Sequence, residues 1–181
     1  MKKRKRIGRL EIRQFLRDGL KSRISADLRR RRIASEADLH SCTYLHLRRF
    51  LRRDPRWTVF NKAYIKNLSV YPDLVLKRRN IPRIAIELKE KRRLTPRWFK
   101  GDLRKLQRLW VKGRRPITGY FICLVRQDEK EMKLQRLAKG WRSATQRQHI
   151  FPIIINAHDH VRDWKAFQRW WKKHAKTDLD E

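Results

Sequence analysis

The sequence predicts an α/β fold in which a mixed β-sheet is flanked by helices. Three observations lead there. Apolar residues make up 40% of the 181-residue chain and include seven Trp and seven Phe, enough to build a packed core. Apolar runs of strand length recur from residue 57 onward. Around them lie stretches in which apolar residues return every three or four positions, the spacing of one helix face. Strands covered by helices form a layered α/β arrangement. A chain of this length suits one domain and hides roughly two-thirds of its unfolded surface.

Residues 1–32 hold fourteen Lys or Arg against three acids, Glu11, Asp18 and Asp27. Ile7, Leu10, Phe15, Leu16, Leu20, Ile24 and Leu28 recur here with loosely helical spacing. A basic helical arm is therefore expected over 1–32, followed by a single domain over 33–181. Phosphate contact or nuclear import would suit the arm, and a solvated amphipathic helix accounts for it equally well. A helix follows over about 34–52, with Ile33, Ala37, His40, Tyr44, Leu47 and Leu51 on its apolar face. Ser35 or Ser41 is a candidate cap, and Asp54-Pro55 ends the helix.

Alternation then replaces the helical period. Residues 57–65 read as a strand or strand pair, 73–76 as a second strand, 77–82 as a polar turn and 84–89 as a third strand. Helix returns over about 98–112, with Leu103, Leu106, Leu109 and Trp110 on one side. Residues 117–125 carry no charge, as expected of a central strand. A helix over 129–147, a buried strand over 151–157 and a last helix over 162–176 complete the order α-β-β-β-α-β-α-β-α.

Fifty Lys and Arg stand against eighteen Asp and Glu, a formal net charge of +32. Such a chain repels itself until a polyanion neutralises it. Nucleic acid is the expected partner, DNA first, with counterion release driving binding. An anionic membrane surface is the weaker rival, since only the first arm approaches a one-sided amphipathic helix. No apolar run reaches the ~18 residues of a membrane span. No apolar stretch follows the basic start Met1 to Arg6, so an intracellular protein is expected, in the cytoplasm or a nucleus. Cys42 and Cys123 are too few for a disulfide framework and sit in no Cys/His cluster.

The chemistry concentrates in Tyr71-Pro72-Asp73-Leu74-Val75-Leu76 and Ile84-Ala85-Ile86-Glu87-Leu88-Lys89. Strand alternation turns Ile84, Ile86 and Leu88 one way and Ala85, Glu87 and Lys89 the other. Glu87 and Lys89 then share a face, about 7 Å apart. If the two segments form a hairpin, Asp73 lies across from Glu87. Paired carboxylates repel unless a cation intervenes, and Mg²⁺ suits oxygen ligands of this kind. Water activated by such an ion attacks phosphorus, with Lys89 steadying the developing charge. The competing account is a solvent-facing Glu87–Lys89 salt pair at a sheet edge.

Pro72-Asp73, thirteen intervening residues and then Glu87-Leu88-Lys89 resemble the motif of the PD-(D/E)XK nuclease superfamily, which includes restriction endonucleases and Holliday junction resolvases. The resemblance implies a restriction-endonuclease-like core, α-β-β-β-α-β, matching about residues 33–125. It implies a Mg²⁺- or Mn²⁺-dependent endonuclease that hydrolyses phosphodiester bonds in DNA. Asp73, Glu87, Lys89 and Glu36 would be catalytic, and Asp73, Glu87 and Leu88 would form the metal set. Asp102, Lys105 and Gln107 on the following helix are further contributors. Lys91, Arg92, Arg93, Lys105, Arg114 and Arg115 flank the motif and would hold the nucleic acid. A homodimer is left open by analogy with resolvases and restriction enzymes. The alternative function is a non-catalytic DNA- or RNA-binding protein on the same fold.

Other residues carry plainer expectations. His158-Asp159-His160 reads as a loop or helix cap in preference to a metal site. Trp164, Phe167, Trp170 and Trp171 read as helix packing, and His40, near Glu36, as a satisfied core histidine in preference to a residue touching the site.

Overall fold

The computed structural model describes residues 6–62, 64–65, 70–91, 105–106, 108, 117–126, 150–157, 160–161, 166 and 169. The expected helix over 129–147 lies outside them. So do Arg92, Arg93, Asp102, Gln107, Arg114, Arg115, His158, Asp159 and the aromatic residues 164, 167, 170 and 171.

The basic N-terminal stretch is helical: α1 (Arg9–Gln14), a π-helical segment (Phe15–Leu20) and α2 (Lys21–Arg29) follow one another directly. Gly8 N–H donates to Glu11 Oε2 (2.8 Å), which satisfies a backbone group at the helix start. Gly19 lets the wider segment close on Phe15, because a Cβ at that position would lie 2.9 Å from Phe15 Cδ2. Phe15 in turn stacks on Phe50, with ring centroids 4.1 Å apart. Ile12, Leu16, Leu20, Ile24 and Leu28 are all buried and join the core cluster of the domain, so this stretch forms part of the packing layer.

Helix α3 (Glu36–Leu51) starts where Ser35 Oγ accepts the Asp38 N–H, so of the two candidate caps it is Ser35 that serves. Its buried face is rotated from the expected one. Leu39, Thr43, His46, Leu47 and Leu51 are buried, whereas Ala37 is exposed and His40 and Tyr44 are half-buried. The rotation has a polar cause. His46 Nε2 lies 2.6 Å from Asp27 Oδ2 on α2, and this buried pair fixes which side of α3 meets α2.

The sheet has five strands in the order β1 (Trp57–Asn61), β2 (Leu74–Arg78), β3 (Ile81–Lys91), β4 (Thr118–Val125), β5 (Ile150–Asn156). The first three pair antiparallel and the last three parallel, so the sheet is mixed. The expected 77–82 turn shrinks to Arg79-Asn80, both at positive φ, as a two-residue hairpin requires. The strands extend into the polar residues, and the register slips beside Pro82, which has no N–H for the ladder.

Helices α1 to α3 cover the face carrying Ile84, Ile86, Leu88, Tyr120, Ile122 and Leu124. The other face carries Ala85, Phe121, Cys123 and Val125, packed with Leu106 from a helical turn. Every residue of β4 is buried, as expected of a strand covered on both sides. Asp54, expected only to end α3, also anchors the chain's start. It accepts the Ile7 N–H (2.9 Å) and pairs with Arg56, while Trp57 Nε1 donates to the Ile7 carbonyl (3.1 Å). Among the described residues no helix is long and apolar enough to cross a membrane.

Candidate functional site

Strand β3 outruns its antiparallel neighbour. The β2–β3 register begins at Leu74 opposite Ile86, yet β3 continues to Lys91. Beyond Ile86, β3 has β4 on one side and, among the described residues, no paired strand on the other. A buried backbone N–H on such an edge needs an acceptor. Two carboxylates supply it. Asp73 Oδ2 accepts the Leu88 N–H (2.8 Å), and Glu36 Oε2 accepts the Glu90 N–H (3.1 Å). Extending the register by one residue sets Asp73 opposite Glu87. The Asp73 carbonyl also accepts the Lys62 N–H (2.8 Å) and His40 Nε2 (3.2 Å), which fixes the residue where β2 begins.

Glu87 points to the sheet face that carries Ala85 and is fully buried, at 0% exposure. A carboxylate there is costly unless a cation accompanies it. Lys105 Nζ stands 3.1 Å from its Oε2. Lys89, two residues on, is half-buried, with its Nζ 3.3 Å from Glu36 Oε1. Glu36 thus receives a backbone N–H on one oxygen and an ammonium on the other. It occupies the first turn of α3, where the helix dipole favours a negative charge.

The structure therefore brings Asp73, Leu88, Lys89 and Glu36 together along one edge, with Glu87 beside them on the strand face. Glu87 is enclosed, so it does not belong to a solvent-facing salt pair; Lys105 stands against it, and Glu36 stands against Lys89. Lys105, expected both at phosphate and as a contributor to the site, lies against Glu87. Lys91 ends β3 half-buried, and its carbonyl accepts the Arg126 N–H (2.9 Å). His40, expected as a core histidine, reaches the Asp73 backbone.

Sequence reasoning missed the pairing of Glu90 with Arg126. Glu90 is buried and falls in the alternation phase of Ile86 and Leu88, so an acid at an apolar-phase position was the available signal. Burial pulls the Arg126 guanidinium below its usual pKa. Burial likewise pushes the Cys123 thiol up to about 12, which makes it a poor nucleophile and a poor metal ligand. A cleft of about 490 Å³ lies on the helix-covered face, lined by Arg13, Gln14, Tyr120 and Phe151. Tyr120 is in register with Ile86, so the cleft opens on the opposite face of the sheet from Glu87.

Among the described residues, no group of three His, Cys, Asp or Glu side chains is placed to hold a metal ion. Mg²⁺ asks for less, since one or two carboxylates with water and substrate oxygens suffice. Asp73 and Glu87 on neighbouring strands provide two. The Leu88 carbonyl adds a third oxygen: Leu88 N–H faces Asp73, and in a strand the carbonyl of the same residue points to the same side. The donor set is all oxygen, as a hard cation prefers. Comparison of the chain with protein-family models, with curated proteins and with solved structures finds no match.

Proposed function

We propose that this chain is a divalent-metal-dependent endonuclease acting on DNA, with a PD-(D/E)XK-type core. The observation that carries the proposal is the convergence of Asp73, Leu88, Lys89 and Glu36 on the open edge of β3, beside a buried Glu87. The order of elements also supports it: α3, three antiparallel strands, a helical turn at Lys105-Leu106 and the parallel strand β4. The net charge of +32 supplies the attraction for a phosphate backbone.

Asp73, Glu87 and the Leu88 carbonyl would hold Mg²⁺ or Mn²⁺. A divalent ion there supplies Lewis acidity to a phosphate oxygen and a more acidic water. The chain's own residues do the rest. Glu36 restrains the Lys89 ammonium at the edge where a phosphate would lie, so the charge is already oriented and loses little freedom on binding. Lys89 then stabilises the charge that develops on phosphorus-bound oxygens. His40 and the Lys62 N–H hold Asp73 through its carbonyl, leaving the carboxylate aimed at β3.

The experiment is cleavage of supercoiled and branched DNA with Mg²⁺ or Mn²⁺. The expected result is nicking or cutting that EDTA stops and that Asp73→Ala and Lys89→Ala abolish. Wild-type cleavage by both variants would remove the assignment. One observation favours a second reading, a non-catalytic nucleic-acid binder. Lys105 offsets the buried Glu87 charge without any metal. That reading expects tight, salt-sensitive binding with no turnover under any metal.

A further inference from the structure

Between β1 and β2 the chain makes an excursion closed by one antiparallel bridge, Ile65 with Val70, where Ile65 N–H donates to the Val70 carbonyl (3.0 Å). Val70 is buried and Ile65 packs against the same cluster as Ala85 and Phe121. The next pair outward is Tyr64 and Tyr71, which alternation turns to the other side. Their rings stack, with centroids 4.5 Å apart and planes 25° from parallel. Both are open to solvent, Tyr64 at 46% and Tyr71 at 59% exposure. Single exposed aromatics need no explanation, but two rings stacked beside a β-bridge form a preset apolar surface.

The location of this surface gives it meaning. Tyr71 is two residues before Asp73, within about 7 Å along the chain. Two stacking steps along one strand rise by about the same distance. Lys62, exposed and at positive φ, donates its N–H to the Asp73 carbonyl, so a cation borders the same turn. Aromatic rings bordered by cations are how proteins hold unpaired bases, because every base has a face to stack while its phosphate meets the charge. In a duplex the base faces are already occupied by their neighbours.

From this we infer that Tyr64 and Tyr71 are a stacking platform for an unpaired nucleotide next to the phosphate at Asp73. The inference rests on the nucleic-acid reading above and narrows its substrate class to strands with unpaired bases, such as tails, flaps or open junctions. The strand enters along the β1–β2 turn, stacks a base on Tyr71, and passes its phosphate to the edge of β3.

The test compares blunt duplex DNA with the same duplex bearing a single-stranded tail that contains 2-aminopurine. Binding is followed in EDTA by anisotropy and by the quenching that stacking produces. Wild-type protein is expected to prefer the tailed duplex and to quench the probe. In Tyr71→Ala that preference should fall roughly tenfold, with quenching lost, and in Tyr64→Ala it should fall less. Tyr71→Phe, which keeps the ring and the fold, should retain both signals. No wild-type preference for the tail, an unchanged preference in Tyr71→Ala, or equal loss in Tyr71→Phe would each overturn the platform. EDTA separates this outcome from catalysis. A platform that holds while Mg²⁺ produces no cleavage removes the nuclease alone, and cleavage with unchanged tail binding removes the platform alone.

Discussion

Replacing Asp73 tests the carboxylate-capped edge of β3 without any substrate. In the folded chain Asp73 Oδ2 accepts the Leu88 N–H at 2.8 Å, and Leu88 is 1% exposed. A hydrogen bond to a charged acceptor contributes about 1.5–3 kcal/mol, and a buried N–H left without an acceptor costs about 1–3 kcal/mol. These are two descriptions of one loss, so Asp73→Ala should destabilise the fold by about 2–3 kcal/mol. Relief of repulsion with Glu87 works the other way, but Lys105 already offsets that charge at 3.1 Å. Asp73→Asn keeps an acceptor of neutral strength and should cost about 1 kcal/mol. Urea unfolding followed by far-UV circular dichroism measures both, provided the slope with denaturant stays unchanged. Hydrogen exchange gives a local check, since the Leu88 amide should lose protection in the alanine variant while β4 amides keep theirs. An Asp73→Ala protein within 0.5 kcal/mol of wild type, or an asparagine variant worse than the alanine one, would refute the capping argument.

Three further outcomes follow from other parts of the structure. Hydrogen bonds from Arg56, and then the Ile7 and Arg56 N–H groups, hold the Asp54 carboxyl well below the ordinary carboxylate range. Its folded pKa is depressed, so its stabilisation is fully present above about pH 4 and is lost as pH falls toward the folded value. Stability measured from pH 6 to pH 2 should drop more steeply in wild type than in Asp54→Asn, and parallel curves would contradict this. Gly19→Ala should cost about 1–3 kcal/mol, because the new methyl meets Phe15 Cδ2 at 2.9 Å, and a thermal midpoint unchanged by the substitution would rule out that contact. Burial pushes both thiols, Cys42 and Cys123, up to about 12, so Ellman's reagent at pH 8 should react slowly with folded protein and rapidly in denaturant.

Much of the sheet was legible because its signal is local. The uncharged run 117–125 emerged as the fully buried β4, and alternation around Glu87 separated the two faces of β3 correctly. The N-terminal stretch shows what charge conceals. Fourteen basic residues suggested an arm, yet one buried row from Ile12 to Leu28 is enough to seat the helices on the sheet, while Arg9, Arg17, Lys21, Arg23 and Arg29 stay exposed on the outer side. The rotated face of α3 was not legible, because it is set by a pair distant in sequence, Asp27 with His46. At the site, the alternation of Glu87 with Lys89 and the place of Asp73 across from Glu87 could be read in advance. The resemblance also pointed to Glu36 and Lys105, but not to which charge each would meet. Glu36 reaches Lys89 from fifty-three residues away, and Lys105 reaches Glu87 from eighteen, contacts that arise only when α3 and the helical turn at Lys105-Leu106 are each brought against β3.

Metal binding tests the central claim most directly. Isothermal titration of wild-type protein with Mn²⁺, without nucleic acid, should show a saturable site that is lost in Glu87→Gln, a variant of the same shape without the charge. No heat from wild type, or equal heat from the variant, would mean that Asp73 and Glu87 hold no divalent cation and that the buried acid has a structural role.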